Sequence, residues 1–299
     1  MFYGFMRCEV QVYLTFFVRY TGEVLVADMT LLVSWVAVDS RKPSAIYLLS
    51  DSRISWSNNK KYDYGRKVFA SQNTPNIFGY CGDVVLPSIL LNQLIDIIDL
   101  GLFFKPIWNY RKKVSAVIKH LKEAFNKYPH SDRVIMGDSL EIIYGTRDKD
   151  ATFHCVDIIW TRQENKWRYK SLPIHKKSYQ LRITGSGKSE FNEIYNSYIQ
   201  ESEHQTSRAV FQTFCDTLRN ITDKHCGGAP QLVGIYSKPF SPAKTFGIIY
   251  DNRRYVLGLP LDSCKNVNPG SIEWRNELFE ISDPISKKRK PKAQPQPYK

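Results

Sequence analysis

Extended and helical periodicities occupy separate blocks of this 299-residue chain, and that segregation restricts the fold more than any single motif. Residues 31–38 and 46–50 are β-rich runs flanking the turn-forming stretch 39–44, which reads as an opening hairpin. Shorter strand-like segments follow at 67–71 and 77–80. Residues 87–100 and 112–127 then carry apolar side chains at helical spacing, among them Leu90, Leu94 and Ile98, then Val114, Ile118, Leu121 and Phe125. A meander is expected over 141–146, 151–161 and 167–172, with a further strand at 182–184. A second helix pair at 190–202 and 207–221 precedes closing strands at 232–236, 245–250 and 254–258. Blocks of strands alternating with helix pairs predict an α+β layered sandwich rather than a parallel βαβ sheet.

No stretch approaches the roughly 18 apolar residues of a membrane span. The leader-like run 10–18 is short and lacks a small-residue cleavage site, so a cytoplasmic protein is expected. Six cysteines without a C-x-x-C pair, and six histidines without an H-x-x-x-H array, imply reduced thiols and no metal site or cofactor. The net charge of +13 suggests nucleic acid until its placement is read. Six of the positive charges, Lys287, Lys288, Arg289, Lys290, Lys292 and Lys299, lie in a C-terminal stretch without acids. A tail of that composition over 286–299 is expected to be disordered, and nucleic acid is not the expected partner.

Thr30 follows Met29 and opens the first apolar run. If the working chain starts there, the threonine hydroxyl and a free α-amine belong to one residue. A hydroxyl is a weak nucleophile until a base takes its proton, and an α-amine with a reference pKa near 8 can do so at neutral pH. That chemistry requires residues 1–28 to be absent, as an over-extended start or a propeptide. Otherwise Thr30 is an ordinary strand residue, Asp51 a turn cap, Lys67 a strand end and Gly82 a turn glycine. Gly185-Ser186-Gly187-Lys188-Ser189 also invites a phosphate-loop reading, but that loop needs glycine where Arg182 stands.

The ordered set resembles the proteasome β subunits and their bacterial relative that works with an unfoldase, all N-terminal nucleophile hydrolases. The resemblance rests on Thr30 before an apolar strand, on Asp51-Ser52-Arg53, and on Lys67-Val68 sixteen residues after Asp51. It continues with the glycine-containing turn Gly79-Tyr80-Cys81-Gly82-Asp83, with Gly185-Ser186-Gly187, and with Asp223-Lys224-His225-Cys226-Gly227-Gly228. It spans about two thirds of the chain. The resemblance implies a four-layer αββα sandwich of antiparallel sheets over 29–258, followed by a C-terminal extension over 259–285.

The same resemblance implies Thr30 as nucleophile, with Lys67 favouring its ionised hydroxyl and Asp51 pairing with Lys67. The backbone N–H of Gly82 would face the developing oxyanion, and Ser186, Asp223 and Cys226 would orient the amine. Ile54, Gly65, Phe69, Gly79 and Asp83 would line the pocket for the residue before the scissile bond. A peptide or protein substrate, a homo-oligomer and an ATP-dependent unfoldase partner are the corresponding expectations. Three departures stand out: the hairpin is five residues longer than the family spacing, Cys226 replaces a serine, and Asp83 replaces a small residue. No glycine precedes Thr30, so methionine removal is expected rather than self-cleavage. A small-amide hydrolase, or a silent scaffold with Thr30 blocked, would share most of these residues.

Overall fold

The computed structural model describes residues 30–39, 42–56, 60–129, 139–198, 205–264 and 268–294. The expected extension 1–28, Met29 and the last five residues of the basic tail lie outside the described residues.

β1 (Leu32–Asp39) and β2 (Lys42–Ser50) form the opening hairpin, paired from Leu32 opposite Ser50 to Asp39 opposite Lys42. The strands extend into the stretch 39–44 expected to be a loop, as far as Asp39 and Lys42. Pro43, which has no N–H to donate, enters the strand opposite Val38, where a register shift after Ala37 relieves the ladder. A two-stranded ribbon of β3 (Ile54–Ser55) and β4 (Lys61–Tyr62) precedes β5 (Val68–Ala70) and β6 (Asn76–Gly82). Next come α1 (Val85–Asp99) and α2 (Tyr110–Lys127), the latter capped by the Asn109 side chain accepting the Lys112 N–H. β7 (Ser139–Arg147), β8 (Phe153–Thr161), β9 (Lys166–Leu172) and β10 (Tyr179–Thr184) follow. α3 (Lys188–Ser197) and α4 (Ser207–Asn220) lead to β11 (Gln231–Tyr236), β12 (Lys244–Tyr250) and β13 (Arg253–Val256). β14 (Leu259–Pro260) and β15 (Glu273–Arg275) complete the elements.

One sheet runs β10-β1-β2-β11-β12-β13-β14 with β15 also on β12, and the other runs β5-β6-β7-β8-β9. Only the β12–β15 pairing is parallel among the described residues. The fold is α+β with antiparallel sheets. Alternation along β1 shows why both sheet faces are covered: successive side chains point to opposite faces. Leu31, Val33 and Trp35 join a cluster with Phe191 of α3 and Phe211 and Phe214 of α4. Leu32 and Val36 instead meet Val68, Ile77, Ile143 and Cys155 of the second sheet. The far face of that second sheet, through Phe78, Tyr144 and Ile158, packs against Leu94 of α1 and Val117 and Leu121 of α2.

Two expectations change. The strand expected over 77–80 runs on through Cys81 and Gly82, which the glycine-containing motif reads as turn: both are buried in β6 and paired with β7, Cys81 opposite Glu141 and Gly82 opposite Leu140. Two glycines suggested a turn, but the flanking Ile77, Phe78 and Tyr80 are buried core that only an extended path can deliver. The C-terminal stretch is also more ordered than its composition suggests. β15 joins the large sheet with Trp274 buried, and residues 287–290 fold back so that Arg289 bridges Ser282. The Asp283 carboxylate turns the chain there by accepting the N–H groups of Ile285 and Ser286.

Candidate active site

The hairpin register builds the site. Because Leu32 pairs with Ser50, the residues just before β1 and just after β2 come side by side, and the Leu31 N–H donates to Asp51 Oδ1 at 3.1 Å. Lys67 enters from the second sheet, immediately before β5. Its Nζ donates to Thr30 Oγ1 and to Asp51 Oδ1, each at 2.8 Å. All three residues have no exposed surface. An ammonium at hydrogen-bond distance favours the ionised form of the hydroxyl it touches, and low polarisability around the pair strengthens the effect.

The Asp51 carboxylate is satisfied on both oxygens. Oδ2 accepts the N–H groups of Arg53 and Gly227, each at 3.1 Å. That saturation fixes its direction and offsets the cost of burying a charge. Sequence reasoning missed the residue that locks this group together. Gln231, at the start of β11 and fully buried, donates through Nε2 to the carbonyls of Asp51 and Gly65, both at 2.8 Å, and accepts the Lys67 N–H at 2.9 Å. The only signal was one polar residue opening an otherwise apolar strand. Arg53, to which the motif assigns no role, forks onto Asp63 and donates to the Cys226 carbonyl at 2.9 Å, tying the Asp51 and Cys226 segments together.

Gly185 and Gly187 bring the start of α3 against Thr30. A Cβ on Gly185, whose φ is +99°, would lie 1.9 Å from the Thr30 carbonyl oxygen. Ser186 Oγ meets Cys226 Sγ at 3.3 Å. Burial above all, and then the Asp51 charge, push the Cys226 thiol well above its ordinary pKa, so it stays a neutral thiol. Asp223 Oδ1 accepts the N–H of His225, whose ring meets Ser55 Oγ at 2.8 Å, while Asp223 Oδ2 has no hydrogen-bond partner among the described residues.

Gly82 ends β6 with φ +97°, and a Cβ there would sit 2.2 Å from the Ser139 carbonyl oxygen, so only glycine fits. Asp83, next in line, is buried, and burial raises its carboxyl to about 6. The expected pocket residues separate into two groups. Ile54 lies over Gly65, where an added Cβ would be 2.6 Å from its side chain. Phe69 is packed under Arg66 in the helix-side core, and Gly79 faces Leu32 and Leu48 between the sheets. Thr30, Asp51 and Lys67 are thus brought into direct contact, Ser186 and Cys226 lie beside them, and Phe69 and Gly79 are core. Among the described residues no cluster of three or more His, Cys, Asp or Glu could hold a metal ion.

No protein-family model and no curated protein matches the chain. Solved structures do. The Anbu (ancestral beta-subunit) from Yersinia bercovieri is 12% identical with a TM-score of 0.50, over 77% of this chain and 87% of that one. The helical assembly of the Anbu complex from Pseudomonas aeruginosa gives 12% identity and a TM-score of 0.50, over 72% of this chain and 86% of its own. At that identity the likeness concerns the fold alone, which is proteasome-like.

Proposed function

We propose that this chain is a threonine-type amide hydrolase of the proteasome-like class, acting on peptides or proteins through a mature N-terminal Thr30. The observation that carries the reading is the buried contact of Lys67 Nζ with Thr30 Oγ1 and Asp51 Oδ1, each at 2.8 Å. In this reading the α-amine of Thr30 takes the hydroxyl proton as Oγ1 attacks the amide carbonyl, and returns it to the leaving amine. Water then hydrolyses the acyl ester, with the amine again accepting a proton. Lys67 stabilises the anionic oxygen, Asp51 holds Lys67, and the Gly82 N–H faces the oxyanion, where one such donor is typically worth about 2.7 to 4 kcal/mol. The Ser186 and Cys226 pair orients the amine, more weakly than two hydroxyls would, since a thiol is a poor hydrogen-bonding group. Asp223 supports it from the same loop, and Ile54, Gly65 and Asp83 border the substrate.

The four-layer αββα arrangement belongs to the same proposal and is supported by the three separate apolar clusters. So do homo-oligomeric assembly, an ATP-dependent unfoldase partner and a cytoplasmic setting; the Anbu complex from Pseudomonas aeruginosa forms a helical assembly. Intact-mass and N-terminal analysis of the natively expressed protein, followed by labelling with a threonine-directed β-lactone, tests the reading. The expected result is a chain beginning at Thr30, labelled there and inactive as Thr30→Ala. A mature chain beginning at Met1, unlabelled, would leave a silent scaffold instead.

A further inference from the structure

Much of the positive charge of this protein lies on α2 and β9, elements that the proposed hydrolase does not use. α2 carries Arg111, Lys112, Lys113, Lys119, Lys122 and Lys127 against the single acid Glu123. Lys166, Arg168 and Lys170 of β9 alternate with Tyr169 and leave from the other face of the sheet, where Arg168 pairs with Glu164 at 2.6 Å. These two elements supply +8 of the net +13, and the tail cations from Lys287 onward supply six more positive charges. Everything else is close to neutral.

Between α2 and the edge strand β9 lies a groove of about 620 Å³. Arg111, Ser115, Lys119, Lys122 and Asn126 line it at intervals of three or four residues, the spacing that keeps side chains on one helix face. The stripe from 111 to 126 is roughly 22 Å long at the helical rise. Val114 and Ile118 are its apolar floor, and Tyr169, 62% exposed, and Ser171 form the opposite wall. Glu123 is the one acid in the lining and pairs with Lys119 at 3.8 Å. Tyr110 also borders the groove but its ring is stacked on His154, leaving Tyr169 as the exposed aromatic surface.

We propose that this groove binds single-stranded nucleic acid, with Arg111, Lys119 and Lys122 on its phosphates and a base stacked on Tyr169. A positively charged track beside an aromatic platform is what an unpaired strand requires, because phosphates supply attraction without sequence and every base offers a π-face. A strand of acidic residues would use the cations and leave the exposed ring idle. Two copies of this chain cannot place this face against itself without opposing like charges.

The test is fluorescence anisotropy of a short labelled oligodeoxythymidylate on the full chain between about 50 and 200 mM KCl. Three phosphate contacts predict a log–log salt slope near −2, at about −0.7 per contact for single strands. Lys119→Ala with Lys122→Ala should flatten that slope by about 1.4. Tyr169→Ala should weaken binding about tenfold at an unchanged slope. Glu123→Gln should tighten binding. These positions are on the surface, so circular dichroism should show every variant folded. The proposal is overturned if the oligonucleotide does not bind, or if Lys287→Ala with Lys288→Ala abolishes binding while the groove variants match the parent. It is equally overturned if oligoglutamate of the same charge competes as well as the oligonucleotide and Tyr169→Ala changes nothing; the partner would then be an acidic polypeptide.

Discussion

Gln231→Leu is the perturbation that most directly tests how the site is held. The substitution nearly preserves volume but removes three hydrogen bonds at once: two donated to the carbonyls of Asp51 and Gly65, one accepted from the Lys67 N–H. All three backbone groups flank the Thr30 contact, and Gln231 has no exposed surface, so water has no direct route to replace it. A buried donor or acceptor left unsatisfied costs roughly 1 to 3 kcal/mol, and the added apolar burial of leucine offsets part of that. Taking the carbonyls at the low end, because each keeps a second lone pair, gives a net loss of about 3 kcal/mol. Urea unfolding at neutral pH should show it as a midpoint lowered by roughly 1 M or more, given slopes of about 1 to 3 kcal/mol per M. Gln231→Glu should be worse, since its carboxylate would face two carbonyl oxygens. A Gln231→Leu variant within about 0.5 kcal/mol of the parent, labelled normally at Thr30, would refute the claim that this side chain locks Asp51 and Lys67 in place.

Asp51→Asn leaves the Lys67 ammonium buried without its counter-charge, which typically costs about 3 to 5 kcal/mol, and should abolish β-lactone labelling of Thr30. Gly82→Ala would force a Cβ onto the Ser139 carbonyl at a positive φ; a lowered melting temperature together with lost turnover in peptide hydrolysis is expected. Burial holds the Asp83 carboxyl up to about 6, so the folded protein keeps a proton that the unfolded chain releases near 4. The stability this provides is complete below about pH 4 and is lost as the pH rises to about 6; urea titrations at several pH values should show that fall, and Asp83→Asn should remove it.

How much of this was legible in the sequence depends on the range of the interaction concerned. The helix pairs and the hairpin were readable because their period is local: Leu90, Leu94 and Ile98 mark one helix face regardless of what covers it. The Asp51 and Lys67 contact was readable only through the spacing shared with the proteasome β subunits, because nothing local says that a lysine sixteen residues on will cross from the second sheet. Gln231 was invisible for the same reason taken further, since its partners lie 180 and 164 residues away and its own neighbours are plain strand. Gly82 reads as a turn residue because glycine signals a turn in most contexts, whereas here it ends a buried strand whose backbone must pass the Ser139 carbonyl at a positive φ. The basic groove is not legible because cations at helical spacing look like ordinary solvation until Tyr169 of β9 is placed beside α2. In each case the missing term is the partner element, so the residues hardest to read are those that join the two sheets, and the candidate active site lies at such a junction.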